Sequence, residues 1–390
     1  MAKQGVRVTM LDMASAVDDR PRAAHYAPCA IRELRRAGAL DAVRAQGVVP
    51  GAMCWRKRHP DWEVAVKVDD FVQRSNPDMM TVLPLGQLGQ VLMAEGQKEK
   101  NIEFRFGHEV VSVGQDDGGA WATCKLSDGG ETVVRGDYLC GCDGANSIVR
   151  RTLFGERFDG FTWDAQIIAT NVYYPLDKMG FEDINFIIDP EDYYMAARIT
   201  QDGMWRVSYG EDPSFDKEAV LKNQPIKYER MLPGHPKPGD YKITNVGPYR
   251  IHQRCAEKMR VGRIAIAADA AHLCNPFGGM GLTGGLVDAG GLADCLIGIA
   301  KGWADPEEIL DLYCKKRREM YHTVINPVSS DNFRRVSSKD PDKTAKEDEV
   351  INMYRQAGVD PEMKKIVDGF MYGPCYDFTQ HYNKNASAKI

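Results

Sequence analysis

The sequence predicts an α/β protein in which a Rossmann-like domain is combined with a mixed, largely antiparallel β-sheet domain and a C-terminal group of helices. Three observations predict this arrangement. Apolar strand patterns run into acidic residues and glycine-rich turns at two places, aromatic and β-branched runs fill residues 154–250, and helical periodicity dominates residues 301–390. The Rossmann-like domain is therefore expected to be discontinuous, comprising residues 1–153 and 251–300.

Composition favours a soluble enzyme. The chain has 390 residues, of which 43% are hydrophobic and 27% charged, so it can bury a large core. A net charge of -5 and a pI near 6.0 argue against binding to nucleic acid or an anionic membrane. No uninterrupted apolar run approaches the roughly 18 residues of a spanning helix, and no secretory signal is visible. We therefore expect a cytoplasmic protein.

The cysteines support a reducing compartment. Ten cysteines are scattered along the chain, and only Cys140 and Cys142 lie close together. Because these two alternate on a strand, a buried, reduced pair is favoured over a metal site. No group of His and Cys has the spacing of a zinc site, so no metal is expected.

The predicted elements of the first domain follow in order. Residues 2–4 form the last turn of a helix, Gly5 caps it, and Val6–Leu11 form a strand that ends at Asp12. A helix is expected within residues 22–40 and another from Pro84 to Met93. The remaining predicted elements are an antiparallel meander of strands and the strand that follows it: 102–113, 120–134 and 138–142.

The second domain is expected to bind the substrate. Four strands are predicted within it: 166–174, 184–188, 193–199 and 204–209. Six of its side chains are candidates for a cavity wall: Tyr173, Tyr193, Tyr194, Arg198, Trp205 and Arg206. Burial in the core remains the alternative for each, because alternation allows only half of them to face a cavity.

The C-terminal segment is predicted to be helical with one polar interruption. Pro306–Tyr321 forms a strong helix with acids at its start and bases towards its end. Ser337–Asp348 is charged and is predicted to be an exposed loop or the segment that leads into the next helix. Val350–Tyr372 again has helical periodicity. These helices can pair two subunits, so a homodimer is possible.

The segment Gly262–Leu296 carries the chemistry. An apolar strand runs into Asp269, a glycine-dense turn follows, and a second helical pattern begins near Gly281. This order places a carboxylate and free backbone amides around one polar ligand. A nucleotide cofactor fits such a site.

Two motifs, roughly 120 residues apart, identify a resemblance. The first comprises Cys142, Asp143, Gly144, Ala145, Asn146, Ser147, Val149 and Arg150; the second comprises Ala268, Asp269, Ala270, Ala271, His272, Pro276, Gly278, Gly279, Gly281, Asp288 and Ala289. Together they resemble the Asp-Gly motif and the second flavin-binding motif of the FAD-dependent aromatic hydroxylases, the single-component flavoprotein monooxygenases.

The resemblance implies a set of FAD-binding residues. These are Asp12 at the adenosine ribose, Arg22 near the phosphate or ribityl chain, Gln87 as the nearest polar group on the third helix, Asp143 and Gly144, Asp269 at the ribityl chain, Pro276 and Gly279 in the loop, and the amides of Gly281 and Leu282 at the flavin pyrimidine edge. His272 is expected to be structural. His25 and Tyr26 are placed near flavin and substrate, where either can assist phenol deprotonation or make only a structural contact.

The sequence departs from the family pattern at three positions and at its start. Ala268, Thr283 and Leu85 stand where the family usually has Gly, Asn and a polar residue. The family's opening strand, Gly-x-Gly-x-x-Gly turn and helix are expected to be missing by about 25 residues. An incomplete gene model, a relative that has lost FAD binding, and a shortened fold are the three explanations.

The resemblance implies a function. A nicotinamide donor, NADH or NADPH, reduces FAD, O2 adds to form a flavin hydroperoxide, and its distal oxygen hydroxylates an aromatic or polyketide-like small molecule. Two alternatives remain: a degenerate relative that does not bind FAD and acts as a binding module or non-redox tailoring enzyme, and a flavin dehydrogenase or reductase.

Overall fold

A computed structural model describes residues 1–18, 23–70 and 75–383 of the chain. Its strands are β1 (Val8–Leu11), β2 (His25–Tyr26), β3 (Ala52–Lys57), β4 (Val64–Asp69), β5 (Thr81–Val82), β6 (Ile102–Arg105), β7 (His108–Asp116), β8 (Gly119–Leu126), β9 (Glu131–Gly136), β10 (Leu139–Gly141), β11 (Gly160–Tyr173), β12 (Ile184–Ile188), β13 (Tyr194–Arg198), β14 (Met204–Glu211), β15 (Lys242–Cys255), β16 (Arg260–Val261), β17 (Ile264–Ile266) and β18 (His272–Leu273).

Its α-helices are α1 (Pro28–Ala37), α2 (Leu40–Gln46), α3 (Leu85–Gln97), α4 (Ile148–Phe154), α5 (Lys217–Met231), α6 (Met280–Ala300), α7 (Pro306–Met320), α8 (Asn326–Val336), α9 (Pro341–Glu347), α10 (Glu349–Ala357) and α11 (Pro361–Phe370). Short 3-10 helices lie at Ala2–Gln4, Asp177–Met179, Ala268–Ala270, Pro276–Gly278 and Phe378–His381, and a π-helical turn lies at Tyr321–Ile325.

The parallel strands of the Rossmann-like region form two separate pieces. β1 pairs in parallel with β6, with Val8 opposite Ile102. β10 pairs in parallel with β17, with Leu139 opposite Ile264, and β16 adds an antiparallel edge. Among residues 1–18, 23–70 and 75–383, no strand hydrogen-bonds to both pieces. The α/β class predicted from the sequence is confirmed, with a parallel arrangement that is interrupted between β1 and β10.

The expectation of a buried cysteine pair is wrong. Cys140 and Cys142 are free thiols with their sulfur atoms 3.5 Å apart, but both side chains are exposed. The physical reason is that β10 pairs on one side only, so the strand that carries Cys140 forms an edge of its sheet.

The large second sheet has eight strands in the order β18-β15-β11-β14-β13-β12-β3-β4. The four predicted strands of residues 154–250 all lie in it, as β11 to β14. The sheet also contains β3 and β4, which the sequence pattern assigned to the Rossmann-like domain of residues 1–153 and 251–300. β3 pairs in parallel with β12, and Trp55 stacks on Phe186 with ring centroids 4.5 Å apart. This packing explains why the sheet crosses the predicted boundary.

The two faces of this sheet are covered differently. Trp205, Val207 and Tyr209 point to one face, where they pack with Tyr228 and Met231 of α5. On the other face, α8 and α10 cover one end through Phe333 and Ile351. Phe277, from the Pro276–Gly278 turn before α6, packs on the same face.

The C-terminal helices differ from prediction in three places. The helix predicted over Val350–Tyr372 is two helices, α10 and α11, and the polar segment Ser337–Asp348 contains α9. α8 was not predicted. An aspartate side chain caps the start of each of the helices α9, α10 and α11. Such caps stabilise short helices in a polar stretch of sequence.

α6 lies at the centre of the fold. Within the part of the chain that the structure describes, it is the one helix long and apolar enough to cross a membrane, although 56% of its most apolar window is buried inside the protein. It packs against α1, α7 and the turn at Ala268–Ala270. This helix therefore has the packing of a core helix.

Candidate active site

The carboxyl ends of β10 and β17 bring the two motifs together. These strands are parallel neighbours, and each continues directly into an acidic loop, at Asp143 and at Asp269 respectively. Because parallel strands end at one edge of their sheet, both loops lie at the same edge. Arg150 links them further, since its guanidinium donates to the carbonyl oxygens of Ala145 at 2.8 Å and Ala270 at 3.1 Å.

The Asp143 loop is organised by its own carboxylate. Asp143 accepts hydrogen bonds from the Ser147 hydroxyl and from the Val149 amide at 3.1 Å. Ser147 in turn caps α4 by accepting from the Arg150 amide at 2.9 Å, and Gly144 takes a left-handed φ of 77°. Asp143 stays exposed at this edge. The loop is therefore rigid, with an accessible acidic group.

The Asp269 loop is held by a buried ionic cluster. Asp288 on α6 is 0% exposed, and its Oδ2 accepts from the Ala268 amide at 2.9 Å and from His272 Nε2 at 2.7 Å. Its Oδ1 accepts from Arg317 Nε at 2.5 Å. Burial alone would raise the pKa of Asp288, but the charges and hydrogen bonds of His272 and Arg317 together hold it well below its usual value. His272 thus has the structural position expected of it.

The start of α6 presents free backbone amides. Gly279 precedes the helix with a left-handed φ of 62°, and no side chain caps the first turn. The amides of Met280, Gly281 and Leu282 therefore have no partner within the helix. They lie at the positive end of a 21-residue helix dipole, which favours acceptor or anionic groups.

Glycine allows α6 to approach the Asp269 loop. A Cβ added to Gly285 would lie 2.7 Å from the Cβ of Ala268, which is closer than carbon atoms pack. Ala268 itself takes a left-handed φ of 55°, a conformation that costs a residue with a side chain about 1 to 2 kcal/mol. The position where the family usually has glycine thus keeps the glycine conformation with alanine.

We expect Gly285→Ala to weaken cofactor binding and stability together. The added methyl group must push Ala268 and the adjacent Asp269 away, at an overpacking cost of about 1 to 3 kcal/mol. FAD titration followed by fluorescence quenching and urea denaturation would measure both effects. Gly369→Ala, in α11 with nothing within 4 Å of the new methyl group, is the matched control and should change neither. Unchanged FAD affinity in Gly285→Ala would contradict the role of this contact.

The other predicted cofactor residues are spread around this edge. Asp12 follows β1 and is exposed, with its Oδ1 accepting from the Ala14 amide at 2.7 Å. Gln87 is exposed in the first turn of α3. Pro276 lies in the 3-10 turn before Gly279. Arg22 lies outside the described residues. The roles of these four residues remain predictions.

His25 and Tyr26 differ sharply. The Tyr26 hydroxyl is fully buried and donates to the carbonyl oxygen of Leu83 at 2.8 Å, so it is not available to a substrate. His25 Nε2 is buried and has no hydrogen-bond partner. Burial, and then the charge of Arg206, lower the pKa of His25 to about 4. His25 is therefore neutral at neutral pH and keeps an unused ring nitrogen.

The low pKa of His25 predicts acid destabilisation. The unfolded chain takes up a proton near pH 6.5 but the folded chain only near pH 4, so stability falls as pH decreases through this interval. The shift corresponds to about 3 kcal/mol of unfolding free energy. Urea denaturation of the apoprotein at several pH values should show a smaller loss in His25→Gln. His381→Gln, at an exposed histidine, should retain the wild-type slope.

Most of the six candidate wall residues belong to the core or to loops. Tyr194 and Trp205 pack with α5, and Tyr173 donates to Asp202 at 2.7 Å. Arg198 donates to the carbonyl oxygens of Thr200 and Gln201. Three residues, Tyr173, Tyr193 and Arg206, lie by strand alternation on the face turned away from α5. The core alternative holds for Tyr194 and Trp205, whereas Tyr173 and Arg198 are bound to the loop at residues 200–202.

β18 connects the cofactor edge, the edge of the small sheet at which β10 and β17 end, to the large sheet. It follows the Asp269 loop directly and pairs antiparallel with β15, with His272 opposite Cys255. Phe277, in the turn before α6, contacts the Tyr193 ring with centroids 6.0 Å apart, so the amino end of α6 lies beside the face of the sheet that carries Tyr193 and Arg206. The clusters of His/Cys/Asp/Glu in the described residues include no group suited to hold a metal.

Comparison of the sequence with known proteins identifies the family to which the chain belongs. A family described as "FAD binding domain" matches residues 1–327. The chain is 37% identical over 365 residues to the para-nitrophenol 4-monooxygenase of Pseudomonas sp. (strain WBC-3), covering 92% of this chain and 88% of the relative. It is 32% identical over 352 residues to the 6-hydroxy-3-succinoylpyridine 3-monooxygenase HspB of Pseudomonas putida (strain DSM 28022 / S16), covering 87% and 86%.

A solved structure has the same fold. The crystal structure of p-nitrophenol 4-monooxygenase PnpA from Pseudomonas putida DLL-E4 superimposes with a TM-score of 0.89 at 34% identity. The alignment covers 96% of this chain and 94% of that one. The resemblance inferred from the two motifs is confirmed.

Proposed function

The chain belongs to the FAD-dependent aromatic hydroxylases, and from that membership we propose that it hydroxylates a single-ring phenol at the carbon opposite the phenolic hydroxyl. The reaction type follows from the family, which makes the chain an FAD-dependent monooxygenase. The substrate class and the ring position are the proposal. A cofactor-free binding module, the alternative drawn from the sequence, is not favoured by these relatives.

The names of two relatives support the ring position. One is a 4-monooxygenase of para-nitrophenol, and the other a 3-monooxygenase of 6-hydroxy-3-succinoylpyridine. In both rings, the numbered position lies across from the hydroxyl group. A hydroxyl oxygen donates electron density to that carbon, most strongly when it is deprotonated. Both substrates also have one six-membered ring, which favours a small phenol over a polyketide.

The observation that carries the proposal is the position of the α6 amino end beside the second sheet. FAD supplies electron transfer and O2 activation when it is bound. The residues present fit its flavin end: the amides of Gly281 and Leu282 would stabilise negative charge at the pyrimidine edge, and Asp269 would accept hydrogen bonds from the ribityl hydroxyls. Because β18 joins this loop to β15, the reactive ring would face the sheet.

His25 would act on the substrate side. Its neutral imidazole has a buried, unpartnered Nε2, which can accept a hydrogen bond from a phenolic hydroxyl. Tyr26 has no part in this step, because its hydroxyl is committed to Leu83. NADH or NADPH is proposed as the electron donor, and the cytoplasm as the compartment, in keeping with ten free thiols.

The test is product analysis with isotopically labelled O2. The FAD-loaded protein is incubated with NADH or NADPH and with matched para- and meta-substituted phenols. In the para series the attacked carbon carries the substituent, which must leave with its bonding electron pair, a nitro group as nitrite, so the ring is left as a quinone. We expect one labelled oxygen atom opposite the original hydroxyl in this quinone, or in the hydroquinone formed when NADH or NADPH reduces it, together with release of the substituent as an anion and faster oxidation of the para series. Label from water, or oxidation only beside the hydroxyl, would overturn the proposed position.

A further inference from the structure

We propose that Arg206 determines which substrates bind, by holding a negatively charged oxygen carried on the aromatic ring, with His25 beside it. This inference rests on the proposed aromatic substrate and adds the charge that the substrate bears when bound. The chemistry recognised is an aryl oxyanion, either a deprotonated phenol or a carboxylate on the ring.

Arg206 is a buried cation without an anionic partner. The residue is 8% exposed, and its Nε donates to Asn171 Oδ1 at 2.6 Å. Its Nη2 is buried and has no hydrogen-bond partner. In the part of the chain that the structure describes, no carboxylate forms an ion pair with it. An unpaired buried guanidinium is costly, and a bound oxyanion would supply both the missing charge and the missing acceptor.

The side chain points to the face of the sheet that meets the cofactor edge. Its neighbours along β14, Trp205 and Val207, both pack on the opposite face against α5. Successive side chains of a strand alternate, so Arg206 and Ser208 share the other face. Asn171 lies opposite Arg206 in register, which explains why its amide oxygen reaches the guanidinium.

Small residues leave room beside Arg206. The next row of the sheet on this face is Ser208, Ala169 and Gly247, which lie side by side in register. A Cβ added to Gly247 would meet only ordinary van der Waals contacts, with the Ala169 carbonyl oxygen and Asn245 Oδ1 at 3.9 Å, so the sheet is not crowded at this point. The following row carries Tyr249 on β15 and Gly210, whose Cβ position is covered by the Tyr193 ring. The result is a shallow floor between a cation and aromatic side chains.

Two titratable groups interact electrostatically with Arg206, one from each direction along β14. Tyr249 lies opposite Ile167 and so shares the face of Gly247 and Arg206; burial raises its pKa, and the charge of Arg206 partly offsets this rise. His25 belongs to β2, whose neighbouring residues Ala24 and Val82 pack against Met204 at the start of β14. Burial, and then the charge of Arg206, keep His25 neutral, so the positive charge here resides on the guanidinium.

Direct binding measurements test the proposal without requiring turnover. Calorimetric titration of the FAD-loaded protein would use 4-nitrophenol against its methyl ether, 4-nitroanisole, and benzoate against benzamide. We expect Arg206→Gln to weaken binding of an anionic member of these pairs at least tenfold and to leave its neutral partner unchanged. Arg198→Gln, whose guanidinium donates to the backbone carbonyls of Thr200 and Gln201, is the matched control and should change neither.

The two sources of charge give different pH profiles. If the phenol oxygen is recognised, 4-nitrophenol affinity rises with its ionisation between about pH 6 and 9, and benzoate binds no better than benzamide. If a ring carboxylate is recognised, benzoate affinity is high and flat over that range. Arg206→Lys should restore part of the preference in either case, and its melting temperature shows whether Arg206→Gln has folded.

The proposal is overturned if Arg206→Gln keeps the wild-type ratio of anionic to neutral affinities. It is also overturned if Arg206→Gln and Arg206→Lys lose anionic and neutral ligands equally. Tight, Arg206-dependent binding of an aryl oxyanion without oxygen insertion would instead refute the proposed function and leave the role of Arg206 intact.

Discussion

Replacing Arg317 with methionine is expected to lower the free energy of unfolding by about 3 to 5 kcal/mol, because it leaves the Asp288 carboxylate charged and half-paired in the core. Both side chains are 0% exposed, and Arg317 Nε lies 2.5 Å from Asp288 Oδ1. Arg317 also donates to the carbonyl of Pro374, so the C-terminal segment loses an anchor. Urea denaturation of the apoprotein measures the loss directly.

The size of this effect depends on burial. Arg157→Met is the matched control, because Arg157 is 76% exposed and pairs with Asp159 at the surface. Its loss should stay within about 0.5 kcal/mol. The double variant Arg317→Met with Asp288→Asn should lose less than the sum of the single variants, since the unpaired charge is removed. Additive losses would show that the two groups do not act as a pair.

This cluster also shows where sequence reasoning stops. At the level of sequence, the helix dipole explains the acids at the start of α7 and the bases near its end. In the structure, however, Arg317 is buried and forms an ion pair with Asp288. A basic residue at this position can be exposed near the helix end or buried in an ion pair. The spacing of the sequence fits both, because it does not show which polar side chains of the helix another element buries. The packing of α6 on α7 decides it, and that packing is a tertiary property.

Local signals predicted local structure well. Gly5 ends its helix with a left-handed φ of 83°, and the meander turns are closed by Asp116 and Asp128 accepting from glycine amides two residues on. Such turns depend on neighbouring residues alone. The Asp269 and Asp143 loops also follow their strands as expected.

Long-range pairing was not predictable in the same way. β3 joins β12 across about 130 residues, and no pattern within either strand specifies the partner. α5 was missed because Pro225 stands inside it and its apolar residues do not form a clear stripe. Arg206 was named as one of six wall candidates, but only alternation against α5 and its missing partner separate it from the others.

The largest functional effect is expected at Asp269. Asp269→Ala should weaken FAD binding by about 10- to 100-fold, the loss that follows removal of one charged hydrogen-bond acceptor. The side chain is exposed at the edge where β10 and β17 both end, beside the amides of α6. Titration of the apoprotein with FAD, followed by quenching of flavin fluorescence, measures the affinity. Substrate-dependent NAD(P)H oxidation should fall in parallel at limiting FAD.

Two further variants separate geometry from charge at this site. Asp269→Asn keeps an acceptor oxygen but no charge, so it should lose less affinity than Asp269→Ala. Asp164→Ala removes an exposed carboxylate from β11, away from the loop, and should bind FAD as the wild type does. Saturating FAD should restore the oxidation rate of Asp269→Ala if the carboxylate only holds the cofactor. A rate that stays low at saturating FAD would mean that Asp269 also sets the flavin's position relative to the substrate. The loss of turnover could then not be explained by weaker FAD binding alone.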